Sequence, residues 1–141
     1  MAQIGSDTFS LHPQLASDTW PVATLTLSDL LLINDSRYLW CILVPRLADL
    51  RDLHDLPRAH KTLMHEEIDC ISVVVKDLAQ AHKMNVAALG NVVEQLHVHI
   101  IARHRDDAAW PAPVWGVGTA EPYTEDSADK LIRRLRDSLQ L

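Results

Sequence analysis

Two histidines two residues apart, His97 and His99, stand in the run Gln95-Leu96-His97-Val98-His99-Ile100-Ile101, where polar and apolar residues alternate. A period of two is the pattern of a β-strand, and it puts Gln95, His97 and His99 on one face with Leu96, Val98 and Ile100 on the other. Same-face neighbours on a strand lie ~6.6–6.8 Å apart, so a single phosphate group can touch both imidazoles. One ring could attack phosphorus in line while the other donates a hydrogen bond to a phosphate oxygen or to the leaving group, both working near the free histidine pKa of ~6.5. Two other readings fit the same pair: hydrogen-bonded fillers of a partly buried strand, and two ligands of a zinc ion. Zinc needs a third ligand, and Cys41, Cys70 and His104 lack a matching spacing, so no metal site is assigned.

The elements that must hold this pair can be read around it. Val22 to Leu27 alternates, and Leu30–Ile33 and Tyr38–Val44 are apolar runs flanking the polar tetrad Asn34-Asp35-Ser36-Arg37, which predicts a strand followed by a hairpin ending at Pro45. Met64, Ile68, Ile71, Val75 and Leu78 recur at steps of four and three, the stripe of an amphipathic helix of roughly 25 residues, with Asp55 as its cap and Pro57 in its first turn. Met84–Leu89 and Val92–Arg103 then predict two antiparallel strands joined by a Gly90-Asn91 turn. Trp110 to Gly118, with two prolines, reads as an ordered surface loop that carries the aromatic faces of Trp110 and Trp115. Acids at Glu125 and Asp126, a base at Arg136 and apolar Leu131, Ile132, Leu135 and Leu139 predict a closing amphipathic helix. Strands in two hairpin groups, a long helix between them and a shorter helix at the end make an α+β fold, an antiparallel sheet with helices on a face.

The 141 residues, 48% apolar and 23% charged, fit one domain. No internal repeat or linker divides it. Thirteen Lys and Arg against nineteen Asp and Glu give a net charge of −6, which argues against binding of nucleic-acid polymers but leaves small phosphorylated ligands open. Two cysteines are too few for a disulfide framework, and no apolar window approaches the ~18 residues of a membrane span. Met1–Asp7 carries no basic and apolar leader pattern, so a cytoplasmic protein is expected.

The face Gln95, His97, His99 followed by Ile100-Ile101 resembles the motif of the histidine triad (HIT) family, His-φ-His-φ-His-φ-φ with φ apolar. Gly90-Asn91 and Arg103 fall where relatives carry a Gly-Gln-type turn and a Pro-Arg, and the order of elements from about residue 22 to 104 follows the same family, with 105–141 as a C-terminal loop and helix. Two features depart from it. Gln95 replaces the first motif histidine, and the family's Pro-Gly-His turn between the second and third strands gives way to the shorter Asp35-Ser36-Arg37-Tyr38-Leu39.

The resemblance implies a five-stranded antiparallel sheet with one long helix and a C-terminal helix, two chains joining their sheets into a homodimer. It also implies a nucleotidyl hydrolase or transferase acting at the α-phosphate of a nucleoside phosphoanhydride or phosphoramidate, such as a dinucleoside polyphosphate. His97 would be the nucleophile, forming a transient nucleotidyl-imidazole; its other nitrogen would be held by a backbone carbonyl. His99 would hydrogen-bond the phosphate or leaving group, with Gln95 beside them. Asn34 aligns with the residue that relatives place on ribose hydroxyls, and Asn85 and Asn91 lie near the phosphate-binding positions. Gln95 cannot carry a proton, which points to a slow or specialised enzyme, or to a nucleotide-binding module without turnover. No cofactor is obligatory in this reading; magnesium would arrive with the substrate's phosphates.

Overall fold

The computed structural model describes Gly5 and residues 8–141, and the remainder of the Met1–Asp7 segment lies outside the described residues. Five antiparallel strands, β1 (Thr19–Thr24), β2 (Ser28–Ile33), β3 (Trp40–Pro45), β4 (Lys83–Ala87) and β5 (Val98–Arg103), form one sheet in the order β1-β2-β3-β5-β4. A short helix α1 (Pro13–Ser17) precedes β1, the long helix α2 (Arg58–Ala79) joins β3 to β4, and α3 (Glu125–Ser138) closes the chain. The α+β architecture with a long and a C-terminal helix is therefore as expected. Among the described residues, no helix is long and apolar enough to cross a membrane.

Alternation along the central strands sorts their side chains between two cores. Leu30 and Leu32 of β2, Cys41 and Leu43 of β3, and Val98, Ile100 and Ala102 of β5 pack against Met64, Ile68, Ile71 and Val75 of α2 and Leu135 of α3. The opposite face carries Leu31, Trp40, Ile42, Val44 and Ile101, covered by Leu15 of α1, Val93, and Ala109 and Val114 of the Pro-rich segment. Every residue of β3 and β5 is therefore buried. Such strands read in sequence as near-continuous apolar runs, and a polar group among them must find a partner inside the protein.

The side of the sheet opposite α2 is closed by one buried ion pair. Arg103, at the end of β5, sends its guanidinium to both carboxylate oxygens of Asp107 (2.8 and 3.0 Å), to the Ala112 carbonyl and to the Asn85 amide oxygen. Asp107 also accepts the amides of His104, Ala109 and Trp110. Burial alone would raise its pKa, but Arg103 and these amides outweigh it and hold the carboxyl well below the usual range. The predicted surface loop is thus a tethered cover, with Ala109 and Val114 at 7% and 3% exposure.

Three local expectations differ from the structure. Helix α2 spans 22 residues and starts at Arg58 behind Pro57; Asp55 instead closes a 3-10 turn, accepting the amides of Arg51 and Asp52. The stretch expected as one strand from Val92 enters the sheet only at Val98, because residues 88–97 are drawn elsewhere: the Leu96 amide donates to the Leu50 carbonyl, and the Gln95 side chain turns to the N-terminal segment. Gly90-Asn91 consequently sits inside a long connection and is not a tight hairpin turn. Helix α1 has no counterpart in the expected elements, although His12-Pro13 carries its start: the His12 ring accepts the Gln14 amide, and proline takes a first-turn position.

Removing the carboxylate of Asp107 leaves Arg103 charged and buried without its partner. Asp107→Ala is expected to lose about 3–5 kcal/mol in urea unfolding; a loss under ~1 kcal/mol would show that the pair does not anchor the cover.

Candidate active site

His97 is set by the last residues of the 88–97 connection. Its Nδ1–H donates to the backbone carbonyl of Gln95 at 2.7 Å, which leaves the Nε2 lone pair without a partner among the described residues. The adjacent wall is Gly90, where a β-carbon would lie 3.3 Å from His97 Cε1 and 2.5 Å from the Val93 carbonyl oxygen. The glycine is required by this close approach.

His99, on β5, is engaged at both nitrogens. The Trp40 indole N–H donates to Nδ1 at 3.0 Å, and Nε2 lies 2.9 Å from the Leu89 carbonyl. An indole can only donate and a carbonyl can only accept, so the ring is the neutral Nε2–H tautomer. The His97 and His99 rings meet edge to face with centroids 4.8 Å apart, and Trp115 stands 5.0 Å from His99 on another side. Their exposures are 6% and 4%. Burial lowers the pKa of both; for His99 it outweighs the Leu89 hydrogen bond and brings the value down to about 4.

These rings form part of a cavity of about 570 Å³. Its rim is built from α1, from Asn34, Asp35 and Arg37 after β2, from Leu89–Val93, and from Val114–Gly118 of the cover. Asn34 contributes an amide whose oxygen already accepts the Trp20 indole N–H and the Tyr123 backbone N–H, both at 2.9 Å. Its NH₂ group is the part left for a ligand. Asp35 is buried and holds Arg37 through two oxygens while accepting the Glu121 amide, and Arg37 reaches on to the Val117 carbonyl at 2.8 Å. Burial raises the Asp35 pKa, but these bonds outweigh it and the net shift is downward. A second cleft of about 290 Å³ lies on the other side of His97, bordered by Arg51, Asp52, Asn91, Glu94 and Gln95, with Arg51 and Glu94 paired at 3.0 Å.

The structure brings His97, His99, Asn34 and Asn91 to the larger cavity. It does not bring Gln95 or Asn85 there. The Gln95 side chain bonds Ser10 O and His12 N, so its action on His97 runs through the main-chain carbonyl, because the chain at Gln95 has not yet entered β5. Asn85 gives its amide oxygen to Arg103 at 2.8 Å. Arg46 is likewise bound to Asp29 and to the Leu25 and Thr26 carbonyls. Sequence reasoning missed Trp40 and the Asp35–Arg37 pair; the available signal was a donor-bearing aromatic within the apolar β3 run. Both His99 nitrogens are satisfied within the chain and burial pushes the Cys41 thiol up to about 12, so neither side chain presents a free zinc-ligand atom in this arrangement. The cluster Asp52, His54 and Asp55 is exposed, and Asp52 alone of the three borders the cleft that His97 also lines.

An antiparallel α+β sheet that seats one histidine on β5 and another just before it beside a ligand-sized cavity defines the architecture, and comparison with known proteins identifies the family. The family model for the HIT domain matches residues 17–106. A histidine triad protein from Sinorhizobium meliloti 1021 is 40% identical and superposes with a TM-score of 0.92, covering 95% of this chain and 99% of that one. One from Marinobacter aquaeolei VT8 is 42% identical, with a TM-score of 0.91 over 94% and 96% of the two chains. One from Bradyrhizobium japonicum is also 42% identical, with a TM-score of 0.90 over 92% and 97%. No curated protein sequence matches. The chain belongs to the HIT family, whose members generally bind nucleotides and are often nucleotide hydrolases.

Lowered histidine pKa values have a stability consequence with a fixed sign. Between the folded values and the ordinary ~6.5 the unfolded chain binds more protons than the folded one, so stability present at neutral pH is lost as pH falls. For His99 the loss starts near pH 6.5 and is complete below about pH 4. Each pH unit within that window is expected to cost up to ~1.4 kcal/mol per histidine in urea unfolding between pH 7.5 and 4.5. A flat profile would show that the rings protonate in place.

Proposed function

We propose that this HIT protein is a nucleotidyl hydrolase cleaving at the α-phosphate of a nucleoside phosphoanhydride or phosphoramidate, with His97 as the nucleophile. The observation that carries the reading is the state of the four ring nitrogens. Of these four, His97 Nε2 alone has no partner among the described residues, and it belongs to a ring that borders both cavities. Its lowered pKa keeps that lone pair unprotonated at neutral pH.

In the first step Nε2 forms a bond to the α-phosphorus, and the bond from phosphorus to the leaving group breaks with its electron pair going to the leaving group, which takes a proton from water. The His97 Nδ1–H, donating to the Gln95 carbonyl, carries the charge that the ring acquires. In the second step a water oxygen bonds to phosphorus, the N–P bond returns its electrons to Nε2, and the water proton passes to solvent, leaving a nucleoside monophosphate. Splitting one displacement into two is what covalent catalysis supplies. The larger cavity would take the nucleoside, with Trp115 against the base and the Asn34 NH₂ on a ribose hydroxyl, and Asn91 at the phosphate between the two cavities. The cleft beyond His97 would take the leaving group. Magnesium would ride on the substrate phosphates, and the working form would be a cytoplasmic homodimer.

A second reading, a nucleotide-binding module without turnover, is favoured by one observation: Gln95 and His99 are both committed to partners in the protein, so neither is free to pass a proton to the leaving group.

Incubation with a dinucleoside tetraphosphate and with a nucleoside phosphoramidate, after EDTA treatment and again with magnesium, separates the two. Nucleoside monophosphate released by the wild type and reduced at least ~10³-fold in His97→Ala is the expected result. Intact nucleotide binding with no release would leave the binding module standing.

A further inference from the structure

We propose that Trp40 and His99 are positioning residues: the indole N–H fixes the His99 tautomer, and the His99 Nε2–H holds the Leu89 carbonyl so that Gly90 stays against His97. His99 accordingly transfers no proton in the reaction. This rests on the reading of His97 as nucleophile and deepens it by assigning the neighbouring ring a different task.

The argument is geometric. Trp40 on β3 and Leu89 after β4 lie in different segments of the fold, and His99 bridges them through opposite sides of one ring at 3.0 and 2.9 Å. Gly90 follows Leu89 directly and is the residue whose β-carbon position lies 3.3 Å from His97 Cε1. A displacement of the Leu89 carbonyl therefore carries the Gly90 wall with it, and with that wall the seat of the nucleophile. Two indoles enclose His99, with centroids at 5.7 Å for Trp40 and 5.0 Å for Trp115, and the indoles contact each other at 5.9 Å. A ring so enclosed, with both nitrogens occupied, has no lone pair or N–H to offer a phosphate oxygen unless it first breaks one of these bonds.

The surroundings also keep the ring neutral. Ile42 and Ala87 are its cross-strand partners, and Trp40, Leu89 and Trp115 complete the enclosure without a charge. His97 is the titratable group at its edge, and a proton there opposes a second one on His99. The acid limb of a rate profile should therefore report His97 and not His99.

The test combines a measurement that needs no turnover with one that does. Two-dimensional ¹⁵N–¹H correlation on the full chain should show His99 Nε2 protonated and Nδ1 unprotonated, unchanged from pH 8 to 5.5, with His97 in the opposite tautomer at neutral pH. A His99 that titrates in this range, or that carries its proton on Nδ1, overturns the proposal. For turnover, His99→Gln keeps an N–H able to reach the Leu89 carbonyl and cannot titrate, whereas His99→Leu offers none.

The expected outcome is a fall in kcat of roughly tenfold or less for His99→Gln and on the order of 10²-fold for His99→Leu. The Gln variant should keep the wild-type pH profile, and nucleotide Kd should change less than threefold in both. Trp40→Phe should lower kcat about tenfold and mix the His99 tautomers in the nitrogen spectrum. Equal losses in Gln and Leu variants, growing with the basicity of the leaving group, would identify His99 as a proton donor and refute the positioning role. Activity surviving His97→Ala would sink the nucleophile reading, while the nitrogen spectrum would still decide the tautomer.

Discussion

The burial of β5 on both faces is the constraint on which the rest of the molecule depends. One face must be apolar to pack on α2, and Val98, Ile100 and Ala102 satisfy that. The other carries His99, Ile101 and Arg103, two of them polar and all of them buried. Polar groups in such a place must be satisfied internally, and each of them recruits a different segment: His99 takes β3 and the 88–97 connection, and Arg103 takes β4 and the cover through Asp107 and Ala112. The strand thus organises its surroundings through hydrogen-bonding demand as much as through hydrophobic contact.

How the same residues divide the labour follows from this. His97 lies one residue before the strand, where the backbone is not yet committed to a ladder partner on both sides, and it can spend Nδ1 on a carbonyl two residues back while exposing Nε2. His99, one pleat further on, lies fully between β3 and β4 and has no comparable freedom. Two identical side chains two residues apart are given different chemistry by the point at which the chain enters the sheet.

Much of the fold was legible because its elements obey local rules. The Met64–Val75 stripe fixed the face of α2, and Glu125 and Asp126 marked the start of α3, where the Thr124 hydroxyl is found to accept the Ser127 amide. The alternation at Gln95–Ile101 correctly separated Val98 and Ile100 from His99, yet it extended the strand too far, since nothing local in Glu94-Gln95-Leu96 reveals that Leu50, Ser10 and His12 will claim their polar groups. Asn85 shows the same limit. Its position along β4 was readable, but its partner Arg103 lies 18 residues away and nothing local pairs the two. Residue type and period give direction within an element; they do not give the long-range partner that decides whether a polar side chain faces a cavity or closes a core.

The clasp between Asp35 and Arg37 shows how the mouth of the cavity is kept in shape. The two residues are neighbours in the chain, so pairing them needs little loop closure, and together they secure Val117 and Glu121 from the distant C-terminal segment. With side-chain exposures of 13% for Arg37 and 4% for Asp35, the pair sits where dissolved ions screen it weakly. The opening is therefore held by a charge contact that ionic strength hardly reaches, whereas the exposed Arg51–Glu94 pair beside the second cleft loosens as salt rises. The two rims of the nucleophile's surroundings therefore differ in how strongly salt acts on the charge pair that borders each.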